Sequence, residues 1–154
     1  MKVREFMIKD VISARPNDPI KDVMNTFVEK KIGGLPVVDE TGKLLGMVTD
    51  GDVLRAIKPR DLQIYDFFAF IMYVEKQELE NLLNEMVELE VSKIAKRSGI
   101  VTVSPDDDME QVMTILAKHH FKKLPVVDQN HRVVGVISRG DVIRNIQTKI
   151  LKQL

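Results

Sequence analysis

Apolar positions recur along the chain in two series with the same spacing. Ile20, Val23, Met24, Phe27 and Val28 fall at helical intervals, and Met109, Val112, Met113, Leu116 and Ala117 do so again. Each stripe is followed by a short apolar run that does not alternate, Leu35–Val38 and Leu124–Val127, as in a buried strand. A polar turn and a return strand come next, Leu44–Val48 in the first series and Val133–Ile137 in the second. A second helix then opens at Asp52 or Asp141. Ahead of each stripe stands a brief β-type run, Val11–Ala14 or Ile100–Val103, stopped by Pro16 or Pro105. The pattern predicts one β-α-β-β-α unit written twice. A constant shift of 89 positions carries Leu35 onto Leu124, and the match holds without a gap from Val11–Ile57 to Ile100–Ile146.

Local signals punctuate both copies. Asn17 or Asp18 is expected to cap the first stripe, with Pro19 in its first turn, and Asp106–Asp108 to offer caps to its counterpart. Gly33-Gly34 breaks the first helix, and Gly42 is free to take positive φ in the hairpin turn. A lead-in with Val3, Phe6 and Met7 on one helical face is echoed by Val91, Ile94 and Ala95, one residue out of step with the main repeat. The last helix is expected to reach Leu154. Between the copies lies a helical connector. It holds the aromatic-rich run Tyr65–Val74, then an amphipathic helix with Leu79, Leu82, Leu83 and Met86 on one face and many Glu on the other. The expected division is 1–60, a connector over 61–90, and 91–154.

Composition narrows the function. With 154 residues and no Cys, the chain needs no staples and carries no thiolate site; this fits a reducing, cytoplasmic compartment. Lys plus Arg and Asp plus Glu stand at 23 each, which removes any bulk electrostatic pull toward nucleic acid. The charged N-terminus lacks the apolar stretch of a signal peptide, and the longest apolar run, Phe67–Val74, is too short to span a bilayer. Adjacent His119 and His120 do not share a helical face, and with His131 they give no metal spacing. No nucleophile–base motif or phosphate-binding P-loop is present, so an enzyme is not expected.

Both copies carry L-P-V-V-D on the central strand (Leu35–Asp39, Leu124–Asp128) and G-h-h-[ST]-x-x-D at the strand-to-helix turn (Gly46–Asp52, Gly135–Asp141; h is apolar). Two such units resemble a CBS domain pair, or Bateman module. The resemblance covers nearly all of the chain outside 58–90. It implies an α/β (α+β) fold in which two tandem motifs are related by a pseudo-two-fold axis, with clefts between them, and further pairing of such modules into a homodimer. The apolar strands agree: a face of Leu35–Val38 and Leu124–Val127 must be covered, and the other copy is the natural cover.

The resemblance also implies a ligand. Similar modules bind AMP, ADP or ATP; others bind S-adenosylmethionine or cyclic dinucleotides, and some bind nothing known. Asp52 and Asp141 either accept hydrogen bonds from a ribose diol or act as helix N-caps. Thr49 with Gly51, and Ser138 with Gly140, either present backbone N–H groups to a phosphate or form ordinary Ser/Thr turns. The copies differ at Asp50 against Arg139 and at Gly33-Gly34 against Lys122-Lys123. By the resemblance, one cleft joins Thr49, Gly51 and Asp52 with Thr102, Val103, Lys122 and Lys123. The other joins Ser138, Arg139, Gly140 and Asp141 with Ile12, Ser13, Gly33 and Gly34. The reading that follows is a regulatory module sensing an adenine nucleotide and acting through a separate effector protein. A structural dimerisation module with empty clefts, or a sensor of S-adenosylmethionine or a cyclic dinucleotide, stands as the alternative.

Overall fold

The computed structural model describes residues 1–57, 69, 72, 76–119 and 122–154. Its regular elements are α1 (Ile20–Lys30), β1 (Gly34–Val38), β2 (Leu44–Thr49), α2 (Asp50–Ile57), α3 (Lys76–Val87), α4 (Met109–Lys118), β3 (Lys123–Val127), β4 (Val133–Ser138) and α5 (Arg139–Leu151). Single 3-10 turns lie at Val3–Glu5 and Val91–Lys93. The two repeats are mixed α/β units, each built on an antiparallel strand pair. Leu35 stands opposite Val48 in β1–β2, and Leu124 opposite Ile137 in β3–β4. The expected first strands shrink to one parallel bridge apiece, Ala14 to Val37 and Val103 to Val126. Proline limits both: Pro36 and Pro125 offer a carbonyl to Ala14 and Val103 but no N–H in return.

Two cores result, and they exchange their lead-ins. Val3 is fully buried with Val103, Val112, Leu124 and Ile137 of the second repeat. Val91 is fully buried with Ile20, Val23, Leu35 and Val48 of the first. The exchange is tied through the backbone. Met109 N–H, at the start of α4, donates to Met1 O (3.0 Å), and Val3 N–H donates to Asp107 O (3.0 Å). Ile20 N–H, at the start of α1, donates to Leu89 O (2.9 Å), and Val91 N–H to Asp18 O (2.8 Å). These carbonyls take donors that a helix start leaves open, so no side-chain cap is made there. The N-cap residues are Pro19 and Asp108, in place of the expected capping by Asn17 or Asp18, and Asp18 instead accepts from Arg15 N–H. Beyond each turn the lead-in pairs with the opposite return strand, Ile8 with Val136 and Lys96 with Met47. The hairpin tips meet as well, with Leu44 N–H on His131 O (3.0 Å) and Val133 N–H on Gly42 O (2.9 Å).

The connector helix α3 packs back on the first repeat through Met86, which is buried, and Leu83. Phe67, Phe68, Phe70, Ile71 and Val74 lie outside the described residues, and Met72 is exposed. Helix α1 stops at Lys31 in the left-handed region (φ 54°), before Gly33-Gly34. Helix α5 stops at Leu151, short of Leu154. Gly42 takes φ 86° as its turn requires, and His131 holds the matching position at φ 61°.

Gly46 permits the Lys96 crossing. A Cβ there would stand 2.6 Å from Lys96 O, a backbone atom that accepts from Met47 N–H while Lys96 N–H donates to Met47 O. Its counterpart Gly135 would meet the thioether of Met7, which can swing away. Gly46→Ala is therefore expected to destabilise the fold by about 1–3 kcal/mol, and Gly135→Ala by clearly less. Urea denaturation of both variants checks the order.

Candidate functional site

The strand-to-helix turns form the same device in both repeats. Thr49 Oγ1 accepts from Asp52 N–H (3.2 Å), and Ser138 Oγ accepts from Asp141 N–H (3.0 Å). The hydroxyl residue thus caps the helix, and the carboxylate sits three residues on and turns back. Asp52 accepts from Thr49 N–H (2.9 Å) and Thr49 Oγ1, and Asp141 from Ser138 Oγ. In the first repeat this is a capping box with Asp in the reciprocal position; in the second the carboxylate returns only to the hydroxyl. It corrects the expectation that Asp52 and Asp141 open their helices as N-caps: the strands end in a Ser/Thr whose hydroxyl already occupies that role. The second oxygen of each carboxylate pairs with a guanidinium one turn on, Arg55 (2.7 Å) and Arg144.

Both turns face one cavity of about 750 Å³ between the repeats. Thr49, Gly51, Asp52, Ser138 and Asp141 line it, and so do Gly33, Gly34, Lys122 and Lys123. Residues of both expected clefts line this one cavity. Each turn bonds the pre-strand pair of its own repeat, Asp50 N–H to Gly33 O (2.9 Å) and Arg139 N–H to Lys122 O (3.0 Å). Ile12, Ser13, Thr102, Val103, Arg139 and Gly140 are not in the wall. Val103 belongs to the second core, while Ile12, Ser13, Arg139 and Gly140 are exposed.

Sequence reading did not find Lys31, Arg55, Lys96, Val101 or Arg144 in this wall. Arg55 and Arg144 were within reach, because each stands three residues after its Asp on one helix. Lys96 had no local signal, since only the exchange of lead-ins brings it here. Excluding the paired Arg55 and Arg144, the wall carries Lys31, Lys96, Lys122 and Lys123 against Asp50, with no salt bridge to any of these five among the described residues. Apolar surface comes from Ile32, Met47, Ile100 and Val101.

Lys123 is the wall residue that crosses between repeats. Its ammonium donates to Gly34 O (3.1 Å), the backbone of its own repeat counterpart. Burial lowers its pKa, partly countered by Asp141. For Asp141, burial alone would raise the pKa; hydrogen bonds from Ser138 and Arg144, with the charges of Arg144 and Lys123, outweigh it and hold the carboxyl below its ordinary range. A depressed carboxyl stabilises the fold above its unfolded pKa, and that contribution is lost as the pH falls through the folded pKa. A depressed ammonium works against folding at neutral pH, and the penalty fades as the pH rises toward the unfolded value. Asp141→Asn is thus expected to flatten the loss of stability below about pH 4. Lys123→Met should be more stable than the parent at pH 7, with the gap closing at alkaline pH. Thermal melts across pH check both.

The CBS domain family model matches residues 3–59 and 91–148. The chain belongs to the CBS domain family and carries two copies of that domain. A protein of Methanocaldococcus jannaschii, MJ1426, is 28% identical over 153 residues, covering 93% of this chain and 89% of its own length. The chloroplastic CBS domain-containing protein CBSX2 of Arabidopsis thaliana is 31% identical over 134 residues, covering 84% of this chain and 56% of its own. The crystal structure of CBSX2 in complex with AMP superposes with a TM-score of 0.72 at 28% identity, over 96% of this chain and 97% of that one. The chain spans only 23% of the inosine-5'-monophosphate dehydrogenase of M. jannaschii, which it also resembles. Homologous CBS pairs thus include nucleotide binders. Among the described residues, no helix is long and apolar enough to cross a membrane, and no group of three or more His, Cys, Asp or Glu could hold a metal ion.

Proposed function

We propose that this CBS pair is a regulatory module that binds AMP, ADP or ATP in the cavity between its repeats and signals to a separate protein. The observation that carries the reading is the wall itself. Two carboxylates sit in the first turns of α2 and α5, four lysines and Asp50 line the same cavity with no ion pair among the described residues, and an apolar surface adjoins them. Carboxylates suit a ribose diol, ammonium groups a phosphate, and the apolar part a base. The AMP complex of a relative matched over nearly its whole solved chain supports the same ligand class.

Adenine nucleotide is expected to bind with roughly micromolar affinity, about −8 kcal/mol. At 100 times the dissociation constant it should stabilise the fold by about 2.7 kcal/mol. Asp141→Ala should weaken binding at least tenfold while removing about 1 kcal/mol or less of stability, since the Ser138 cap remains. Calorimetry and thermal shift with the three nucleotides test this. Silence in both at millimolar concentration would return the module to the dimerisation reading.

A homodimer is the second part of the proposal. Leu54 on α2 and Ile143 on α5 occupy equivalent repeat positions, and both are exposed, at 41% and 48%. Ile150 and Leu151 extend the apolar face of α5. A second copy seated on these two helices would cover them. The double variant Leu54→Glu, Ile143→Glu is expected to run as a monomer in light scattering where the parent runs as a dimer. A monomeric parent at high micromolar concentration would refute it.

A further inference from the structure

The two halves of the cavity differ, and the difference has a direction. A carboxylate offers about four lone-pair sites. Asp52 already accepts from Thr49 N–H, Thr49 Oγ1 and Arg55, which leaves about one. Asp141 accepts from Ser138 Oγ and Arg144, which leaves about two, the number a ribose diol needs. The ammonium groups next to a turn also favour the second repeat. Lys123 stands opposite Ser138 in the β3–β4 ladder, and Lys122 O holds the N–H of Arg139.

Past Lys123, at the first-repeat turn, the wall adds a carboxylate to the cations Lys31 and Lys96. The Lys123 ammonium rests on Gly34 O, and Gly34 stands opposite Thr49 in the β1–β2 ladder. The next residue is Asp50, whose N–H binds Gly33 O and whose carboxylate is pinned by Gly51 N–H (2.8 Å). Among the described residues no cation pairs with it. The counterpart of Asp50 in the second repeat is Arg139, which is exposed and does not line the cavity. A phosphate on Lys123 is therefore matched, and a chain of phosphates continuing toward the first repeat meets a fixed negative charge.

We infer that the cavity seats one nucleoside monophosphate on the second repeat, with Asp141 on the ribose and Lys123 on the phosphate, and that Asp50 turns away nucleotides with longer phosphate chains. This rests on the nucleotide-binding reading and adds to it the occupied half, the preferred ligand and the residue that sets the preference. Selection of this kind acts through a repulsive element placed against the competitor.

Titration calorimetry of the full chain with AMP and ATP, in EDTA so that no divalent cation screens the phosphates, tests the inference. One AMP per chain is expected, bound about fivefold or more tightly than ATP. Asp50→Asn keeps an acceptor for Gly51 N–H and should shrink that ratio to within about twofold. Asp50→Arg, the residue type of the second repeat, should reverse it. Asp141→Asn should weaken AMP binding at least about tenfold more than Asp52→Asn does. Two AMP per chain, equal AMP and ATP affinity in the parent, or an unchanged ratio in both Asp50 variants would overturn the inference while leaving nucleotide binding intact. Absence of any nucleotide binding would overturn both.

Discussion

The fold depends on the exchange of two short segments. Neither repeat closes its own core: the second is sealed by Val3 and the first by Val91. Both valines are fully buried, so each adds roughly 1.5 kcal/mol or more of apolar burial to a core formed by the other repeat. The backbone follows the same logic. The first N–H groups of α1 and α4 would be unpaired donors at helix starts. The carbonyls of Leu89 and Met1 take them, and these belong to the opposite lead-ins. Packing and hydrogen bonding thus lock the repeats into one cooperative body. The exposed ion pairs beside the exchange, Lys2 with Asp108 and Lys21 with Glu88, add little by comparison.

That exchange also builds the candidate site. Pairing of Lys96 with Met47 carries the segment after Val91 across β2, and this brings Lys96, Ile100 and Val101 into the cavity wall. The counterpart Ile8 reaches the same wall from its pairing with Val136. A cavity assembled this way senses the relative placement of the repeats. Lys123 on Gly34 O ties them at its centre through one half-buried ammonium, the kind of contact a bound anion competes for.

Much of this was legible in the sequence because the strongest signals are local. Helical stripes, apolar strand runs, the Gly42 turn and the 89-residue shift all report on neighbours within one unit. The one-residue slip of the lead-ins, Val3 to Val91, was visible too, and its meaning was not. It marks segments that belong by packing to the other repeat. Propensity points to Asn17 or Asp18 for α1, whose N-cap is Pro19, and to Asp106–Asp108 for α4, whose N-cap is Asp108; in both, carbonyls from distant chain take the first N–H. At the site, the [ST]-x-G-D turns were plain, and so were the lysines beside them. The place of Lys96 was not, because only the exchange of lead-ins brings it to the wall.

The swapped lead-ins place few demands on the linkage between the halves. Each half presents a groove that accepts a Val-led turn and a protruding turn of the same kind, so the two are complementary in both directions at once. Such reciprocal complementarity works equally well between separate molecules, and it is the geometry by which a single ancestral unit pairs with its twin. Part of the linkage is itself packed, since Met86 and Leu83 of α3 join the first core. The two halves carry different residues at matched positions, Gly33-Gly34 and Asp50 in one against Lys122-Lys123 and Arg139 in the other.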